Sequence, residues 1–477
     1  MSEIKTGPSS SAPAFALLLP VTFAIFADSR GVSLAVSLLL SLLVIASWLL
    51  LATPGYIRSW ASAALFMAVL TLLLSFICLW RIEKTEPLPS SIDTEGKVVM
   101  KREWGRLNAI LIKTGQGLFA AYLSPAEAPP EGSRVYVRGA VFPFKRADAK
   151  SRGFDEYLFW KGKSASAKLV ILEIKELTPP SGIYLWKSAL RSRIKETLPK
   201  HVAGYMLALT LGDRDKELTK LHRNAGTVHL LSVSGFHVGV LVFILSFFFK
   251  KGIKKFLSIS IIMWLYLLFS GLPPGGIRAG LMVQIYLAGL VIGRPVTPFN
   301  SVSAAALLML LWSPWYFFDV GWQLSVSAAL FISSFLSINK KSKSASAAAS
   351  VLVWFVTAPL VSSVFKEVPA AGILINIIAV PLFSFIFPCV ILASVPAMLY
   401  LPGGNVAAEA AEYFLKAWAA FSDFMTSLVP WASVNTYSMT VTALLIFFAS
   451  SLAASSVPIR RIVPLAALFT LLLLFFA

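Results

Sequence analysis

The stretch HLLSVSGFHVG, His229 to Gly239, places two histidines and two serines at the head of an apolar run. Side chains of these types support three kinds of chemistry. Ser232 or Ser234 could act as a nucleophile with His229 or His237 as its base, provided a third group such as Asp213 or Asp215 orients the imidazole. The histidines could open a zinc site, although the chain has only 4 of them and such a site needs further ligands. The same side chains could instead line a wet path, the usual setting of ionisable groups at membrane depth. A purely structural reading stands beside these. On one continuous helix His229, Ser232, Phe236 and Val240 share a stripe, Ser234 and His237 point elsewhere, and Gly235 and Gly239 let helices approach closely.

Three other apolar regions carry similar anomalies. In Ser270 to Gly280, SGLPPGGIRAG, two prolines and four glycines predict a sharp connection through Gly271, Pro273 and Pro274. Arg278 then opens the next span, where its head could snorkel to lipid headgroups or face a phosphate. Asp319 and Gln323 in FDVGWQLS form an i,i+4 pair, or Asp319 caps the helix. Asn376 precedes a proline break at Pro381. The chain has no GxxxxGK[ST] phosphate loop, no GxSxG elbow and no HExxH pair. Neither a cofactor nor a metal is expected, and no nuclease or ATPase activity.

These motifs must be positioned by membrane helices. The 477 residues are 57% hydrophobic and 14% charged, with a mean hydropathy of +0.76, far from a soluble domain. Apolar runs near 12–27, 32–52 and 60–80 precede a polar block. Others follow at 227–249, 256–271, 277–293, 299–313, 319–337, 346–365, 370–400, 437–456 and 459–477. The expected fold is a polytopic α-helical membrane protein with an inserted small β-barrel. Its divisions are three N-terminal spans over 1–80, the barrel over 81–180, an amphipathic interfacial connector over 181–226 and a channel-like membrane domain over 227–477. The barrel follows from five short β-branched runs, KVVMKREW, RLNAILIKT, GLFAAYLS, SRVYVRGAVF and SAKLVILEI.

Basic loops at Lys250–Lys255, Lys340–Lys343 and Arg460–Arg461 are expected on the cytoplasmic side, which sets the N-terminus in the cytoplasm and the polar block outside. Parity between the last two loops asks for a re-entrant hairpin near 370–400, where Pro381, Pro388 and Pro396 interrupt the run. An amphipathic helix near 409–428 would then lie on the outer surface, with Tyr413, Phe414, Trp418, Phe421 and Phe424 on its apolar side.

The net charge is +19, and roughly half of the Lys and Arg fall in the polar block. Lys101, Arg102, Arg106, Lys113, Arg134, Arg138, Lys145 and Arg146 there could track a polyanion, or contact lipid headgroups. Phe119, Tyr122, Phe142, Phe144 and Trp160 could stack on bases, or fill a barrel core.

Taken in order, HLLSVSGFHVG, LPPGGIRAGLM, FDVGWQLS and NIIAVPL resemble the competence region of the ComEC family. The polar block, ending in Gly153–Leu158 with Gly162 nearby, resembles that family's extracytoplasmic oligonucleotide-binding-like (OB-like) domain, and Ala208–Arg214 resembles the segment leading into its channel. The resemblance implies a channel of the cytoplasmic (inner) membrane that imports single-stranded DNA in natural transformation. It also implies a separate DNA receptor and a cytoplasmic helicase. Many members carry a C-terminal metallo-β-lactamase-like domain; this sequence ends at Ala477 without one, so degradation of the other strand is expected of a separate nuclease. Two positions depart from the family pattern: Gly275 and Gly276 follow the proline of the turn, and Ser232 stands where alanine is common. The rival readings are a secondary permease for a small anion, which would also use broken helices, and the serine–histidine hydrolase above.

Overall fold

Alternation in the polar block decides the architecture of the smaller of two units, Ile82–Thr197; the larger comprises Met1–Arg81 and Leu198–Ala477. The computed structural model describes residues 13–29, 31–52, 61–83, 88–145, 156–213, 215–249, 252–294, 296–338, 371–428 and 432–433, with short pieces between 349 and 369. In the smaller unit, strands β1 (Ser91–Trp104), β2 (Leu107–Thr114), β3 (Gly117–Leu123), β4 (Arg134–Phe142) and β5 (Ala167–Thr178) close a barrel in the order β1-β2-β3-β5-β4. All pairs are antiparallel except β3 with β5. This is an OB-like barrel. β4 shows the rule: Val135, Val137 and Val141 point inward to Ile92, Val98, Ile110, Ile112 and Phe119, while Arg134, Arg138 and Phe142 point out.

A second small core lies outside the barrel wall. Helix α4 (Glu156–Gly162) lays the fully buried Trp160 on Ala109, Leu111 and Ala120. Its indole N–H donates to the Tyr122 hydroxyl at 2.8 Å, and that hydroxyl donates to Glu156 Oε1 at 2.5 Å. Burial, followed by the Glu156 bond, pushes the Tyr122 hydroxyl well above its ordinary pKa. Phe119 and Trp160 are therefore core residues rather than free stacking platforms, and Phe144 is half-buried against Trp160 with the rings 15° apart. Helix α5 (Ile183–Thr197) belongs to this unit as well. A Cβ on Gly132, whose φ is +95°, would lie 2.2 Å from Tyr184 Cβ, so the glycine makes room for that helix. The expected connector 181–226 is thus divided, with α6 (Lys200–Thr210) and α7 (Lys216–Asn224) in the larger unit.

The larger unit begins with α1 (Pro13–Ser29), α2 (Leu34–Ala52) and α3 (Ala61–Glu83). After α7 come α8 (Gly235–Phe248), α9 (Gly252–Phe269), α10 (Pro274–Ile292), α11 (Pro298–Trp312) and α12 (Val320–Ile338). Then follow α13 (Gly372–Met398) and α14 (Gly404–Leu428). Among the described residues four helical segments are long and apolar enough to cross a membrane: Leu65–Ile82, α9, α10 and α13. Helix α10 is the hub, packed on α8, α9, α11 and α12.

Two expectations are corrected. The apolar run 227–249 is not one helix: Val228–Leu231 forms a 3-10 turn, Ser232 and Ser234 are extended, and α8 starts only at Gly235. His229 and Ser232 therefore do not share a helical stripe with Phe236 and Val240. The region 370–400 is not a hairpin either, because α13 is one helix of 27 residues that runs through Pro381, Pro388 and Pro396. A reversal there would strip several backbone groups of partners in hydrocarbon, whereas each proline removes one hydrogen bond. The chain reverses afterwards, at Leu399–Gly403, and α14 packs back on α13. The apolar side of α14 is also divided: Leu415 and Trp418 are buried, while Tyr413, Phe414 and Phe424 are exposed. The runs 437–456 and 459–477 lie outside the described residues.

Two buried polar clusters tie α14 and α7 to α6. Glu412 of α14 accepts from the backbone N–H groups of His201 and Val202 at 2.9 and 3.0 Å and stands 2.6 Å from His201 Nδ1. Burial alone would raise its carboxyl. The bonds from His201 and Val202 and the charges of His201 and Lys416 outweigh that and hold it below the usual carboxylate range. His222 of α7 is fully buried between the Tyr205 hydroxyl at 2.6 Å and Thr227 Oγ1 at 2.7 Å, and burial, then neighbouring His229, lowers it to about 3.

Both groups make the fold acid-sensitive. His222 binds a proton more readily in the unfolded chain, so stability falls as pH drops below the ordinary histidine value of 6.5. The Glu412 contribution is lost later, as pH falls through a folded value lying under 4.5. Thermal unfolding in detergent is expected to show Tm falling between about pH 6.5 and about pH 5, as His222 removes up to about 1.4 kcal/mol of stability per pH unit. His222→Gln is expected to flatten that slope. Glu412→Ala is expected to cost about 1.5–3 kcal/mol at neutral pH.

Candidate functional site

The break before α8 brings residues from three elements together. Ser234 is the N-cap of α8, and its backbone N–H donates to His237 Nδ1 at 3.2 Å. The Ser234 hydroxyl lies 3.1 Å from the same nitrogen. His237 is buried against Phe387 of α13, with ring centroids 4.7 Å apart, and its Nε2 has no partner among the described residues. Helix α8 spans about 21 Å at 1.5 Å per residue, short of a ~30 Å hydrocarbon layer. The preceding segment is therefore non-helical backbone shielded by protein, with Leu230, Leu231 and Val233 buried.

Against this segment lies the first turn of α10. The connection is shorter than expected: Gly271 and Leu272 take positive φ, Pro273 is the N-cap and Pro274 begins the helix, so Gly275 and Gly276 are already helical. A Cβ on Gly275 would lie 3.9 Å from Ser234 Cα, and one on Gly276 only 3.5 Å from the Val233 carbonyl oxygen and 2.7 Å from Leu267 Cδ2. The glycine departure from the family pattern thus coincides with a close backbone approach. One turn on, Arg278 is 7% exposed; its Nε donates to Ser325 Oγ of α12 at 2.8 Å and its Nη1 faces Met282 Sδ at 3.0 Å. Its Nη2 lies 3.1 Å from where a Cβ on Gly235 would sit. Gly235 therefore serves close packing, whereas Gly239 has open space around it and does not.

The remaining motif residues lie elsewhere. His229 is exposed, and the Ser232 hydroxyl donates to the His229 carbonyl at 3.2 Å. Asp319 caps α12 by accepting from Trp322 N–H at 2.8 Å, and Gln323 Nε2 donates to the Phe317 carbonyl at 2.7 Å, so the pair secures the turn before α12. Asn376 donates to the Gly226 carbonyl at 3.4 Å, while its Oδ1 is buried without a partner among the described residues. Asp215, the candidate orienter of a histidine, instead caps α7 through Leu218 N–H at 2.8 Å. Among the described residues no three His, Cys, Asp or Glu side chains are grouped to hold a metal ion.

On the barrel, the strand register places Lys97 of β1 opposite both Lys113 of β2 and Arg134 of β4. Directly paired residues point to one face, so three cations form a row where like charges cost stability. Lys97 is relieved in part by the Tyr184 ring, 4.8 Å below its Nζ. Lys97 does not stand out in the sequence; only the register shows that it sits between the other two. Arg102, Arg106 and Lys145 are also exposed. Lys101 donates to the Ala128 carbonyl at 2.5 Å and is lowered by burial, and Arg138 faces Asp93 at 3.8 Å. Arg146 lies outside the described residues.

A model of the family described as Competence protein matches residues 209–461, which includes every in-membrane motif above. The chain belongs to this family. It is 28% identical over 245 residues to ComE operon protein 3 of Bacillus subtilis (strain 168), an alignment covering 48% of this chain and 31% of that relative. The chain thus spans about a third of that family member's length. No solved structure matches it.

The approach of α10 to Val233 yields a stability test. Gly276→Val is expected to displace Leu267 and cost about 1–3 kcal/mol. Gly275→Ala, whose Cβ would meet nothing closer than Ser325 Oγ at 3.4 Å, is expected to be neutral or stabilising in thermal unfolding.

Proposed function

We propose that the chain is a channel of the cytoplasmic membrane that takes up DNA as a single strand during natural transformation. The family match over 209–461 supports a role in DNA uptake, since it embraces the broken helices and their polar side chains. The observation that carries the finer reading is the Lys113–Lys97–Arg134 row on an OB-like barrel. A row of like charges raises the folding cost unless a polyanion neutralises it, and a strand backbone supplies regularly spaced phosphates. In this reading the barrel is extracytoplasmic, the N-terminus is cytoplasmic, and the helices around α8 and α10 form the route inward. A separate receptor delivers DNA, and a cytoplasmic helicase draws the strand in. The chain itself performs no hydrolysis in this scheme.

Binding of single-stranded oligonucleotide to the purified protein is expected to weaken steeply with salt. Changing Lys97, Lys113 or Arg134 to Gln is expected to lower the slope of log K against log salt by about 0.7 each. In cells, deletion of the gene is expected to abolish uptake of labelled DNA, and the triple Gln variant to restore it only in part. Normal uptake in the deletion strain would end the channel reading.

A further inference from the structure

Arg278 at the α8–α10 junction is a buried cation whose donors the fold uses only in part. It is 7% exposed, yet among the described residues no carboxylate lies within ion-pair reach, and its hydrogen-bonding contacts are Ser325 Oγ and Met282 Sδ. Nη2, packed against Gly235, makes no hydrogen bond there. Helices α8 and α10 both begin at this point, neither has an acidic residue in its first turn, and the N-cap of α10 is Pro273, which offers no side-chain acceptor. Each start carries the positive end of a helix dipole. His237 adds a donor on the first turn of α8: its Nδ1 receives the Ser234 N–H, so Nε2 carries a proton in either charge state and has no partner among the described residues. The α10 start, a guanidinium and an imidazole N–H present donors without a matching acceptor, whereas α8 is closed by a capping box in which the Ser234 side chain accepts from the His237 backbone N–H. Half-helix starts in membrane transporters face anionic groups in this manner.

We propose that the α8–α10 junction is an anion subsite that holds one phosphodiester at a time, with Arg278 Nη2 and the first-turn N–H groups of α10 as its donors and His237 Nε2 as a further one. The anion preference follows from these donors alone; the assignment of the phosphodiester to a nucleic-acid strand rests on the proposed channel. Ser325 is then a positioning residue that fixes the guanidinium through Nε. The subsite is a single grip, so a strand can be held and released phosphate by phosphate.

The test uses full-length protein in nanodiscs of zwitterionic lipid, in a background with Lys97, Lys113 and Arg134 changed to Gln so that the barrel does not mask the junction. Thermal unfolding and affinity are read with oligo(dT), with an oligo(dT) of the same length on an uncharged methylphosphonate backbone, and with phosphatidylglycerol in the disc in place of either. The charged oligonucleotide is expected to raise Tm and the uncharged one not to. Arg278→Met is expected to weaken binding roughly tenfold or more, and Arg278→Lys to retain part of it. Without ligand, Arg278→Met is expected to leave Tm equal or higher, since it removes a buried charge that has no counter-ion.

Unchanged affinity in Arg278→Met, or a fall in its ligand-free Tm with binding intact, would overturn the subsite. An Arg278-dependent rise in Tm with phosphatidylglycerol but not with oligo(dT) would overturn the strand assignment. Normal uptake in the deletion strain alongside Arg278-dependent oligonucleotide binding would sink the channel while the subsite stands.

Discussion

The contact on which the membrane unit turns is the approach of the extended Ser232–Ser234 backbone to the first turn of α10. A backbone that leaves helical geometry at membrane depth must be buried by protein or border a wet cavity, because hydrocarbon offers its N–H and C=O groups no partner. The first turn of α10 provides that burial by lying against Val233 and Ser234, and the missing side chain of Gly276 leaves Leu267 its place beside that turn. Because α10 also packs on α9, α11 and α12, the position of this break is transmitted to the whole group. A bulky residue at 276 would push on Leu267 and the Val233 segment at once.

The same geometry explains why a cation sits where it does. Arg278 lies one turn beyond the glycines, and Ser325 of α12 holds its Nε, so the head is directed by two helices before any ligand enters. The barrel uses the opposite strategy. Its Lys113–Lys97–Arg134 row comes from register alone, is exposed at Lys113 and Arg134 and half-buried at Lys97, and is relieved in part by the Tyr184 ring. Solvent screening makes the barrel row inexpensive to keep and sensitive to salt, whereas the buried guanidinium is costly and screened little. Both are charge arrangements that the isolated fold would be more stable without, a common mark of function.

Much of the architecture could be read from residue pattern because period-two alternation and long apolar runs depend on neighbours in the chain. The five barrel strands follow from such alternation, as Val135, Val137 and Val141 illustrate. Hydropathy did not show the break at Ser232–Ser234, since Leu230, Leu231 and Val233 are as apolar as the helix they interrupt. The prolines of α13 misled in the other direction, because a rule drawn from water overstates what a lost hydrogen bond does where the alternative is an exposed backbone. For the candidate site, His237 and Arg278 were visible as polar residues in apolar runs. Ser325, Lys97, His222 and Glu412 were not, because their roles rest on partners distant in sequence: Glu412 and His201 are 211 residues apart.

The helix starts of the larger unit show what the α10 start lacks. α7 is capped by Asp215, α11 by Thr297 and α12 by Asp319, each accepting from a first-turn N–H. α6 begins at Lys200 after a proline that cannot cap it, and Glu412 reaches across from α14 to take its free N–H groups. The fold therefore supplies an acceptor at four starts, from the neighbouring residue or from a distant helix. At α8 the Ser234–His237 capping box answers the start and leaves His237 Nε2 as a donor, whereas at α10 the chain places a proline, two glycines and an arginine. The α13 start, behind Ala371, has no side-chain cap either, but at α10 the uncapped turn lies beside a buried guanidinium, and that pairing is what asks for an anion. A visiting anion would complete it, and a strand moving past offers one at every nucleotide.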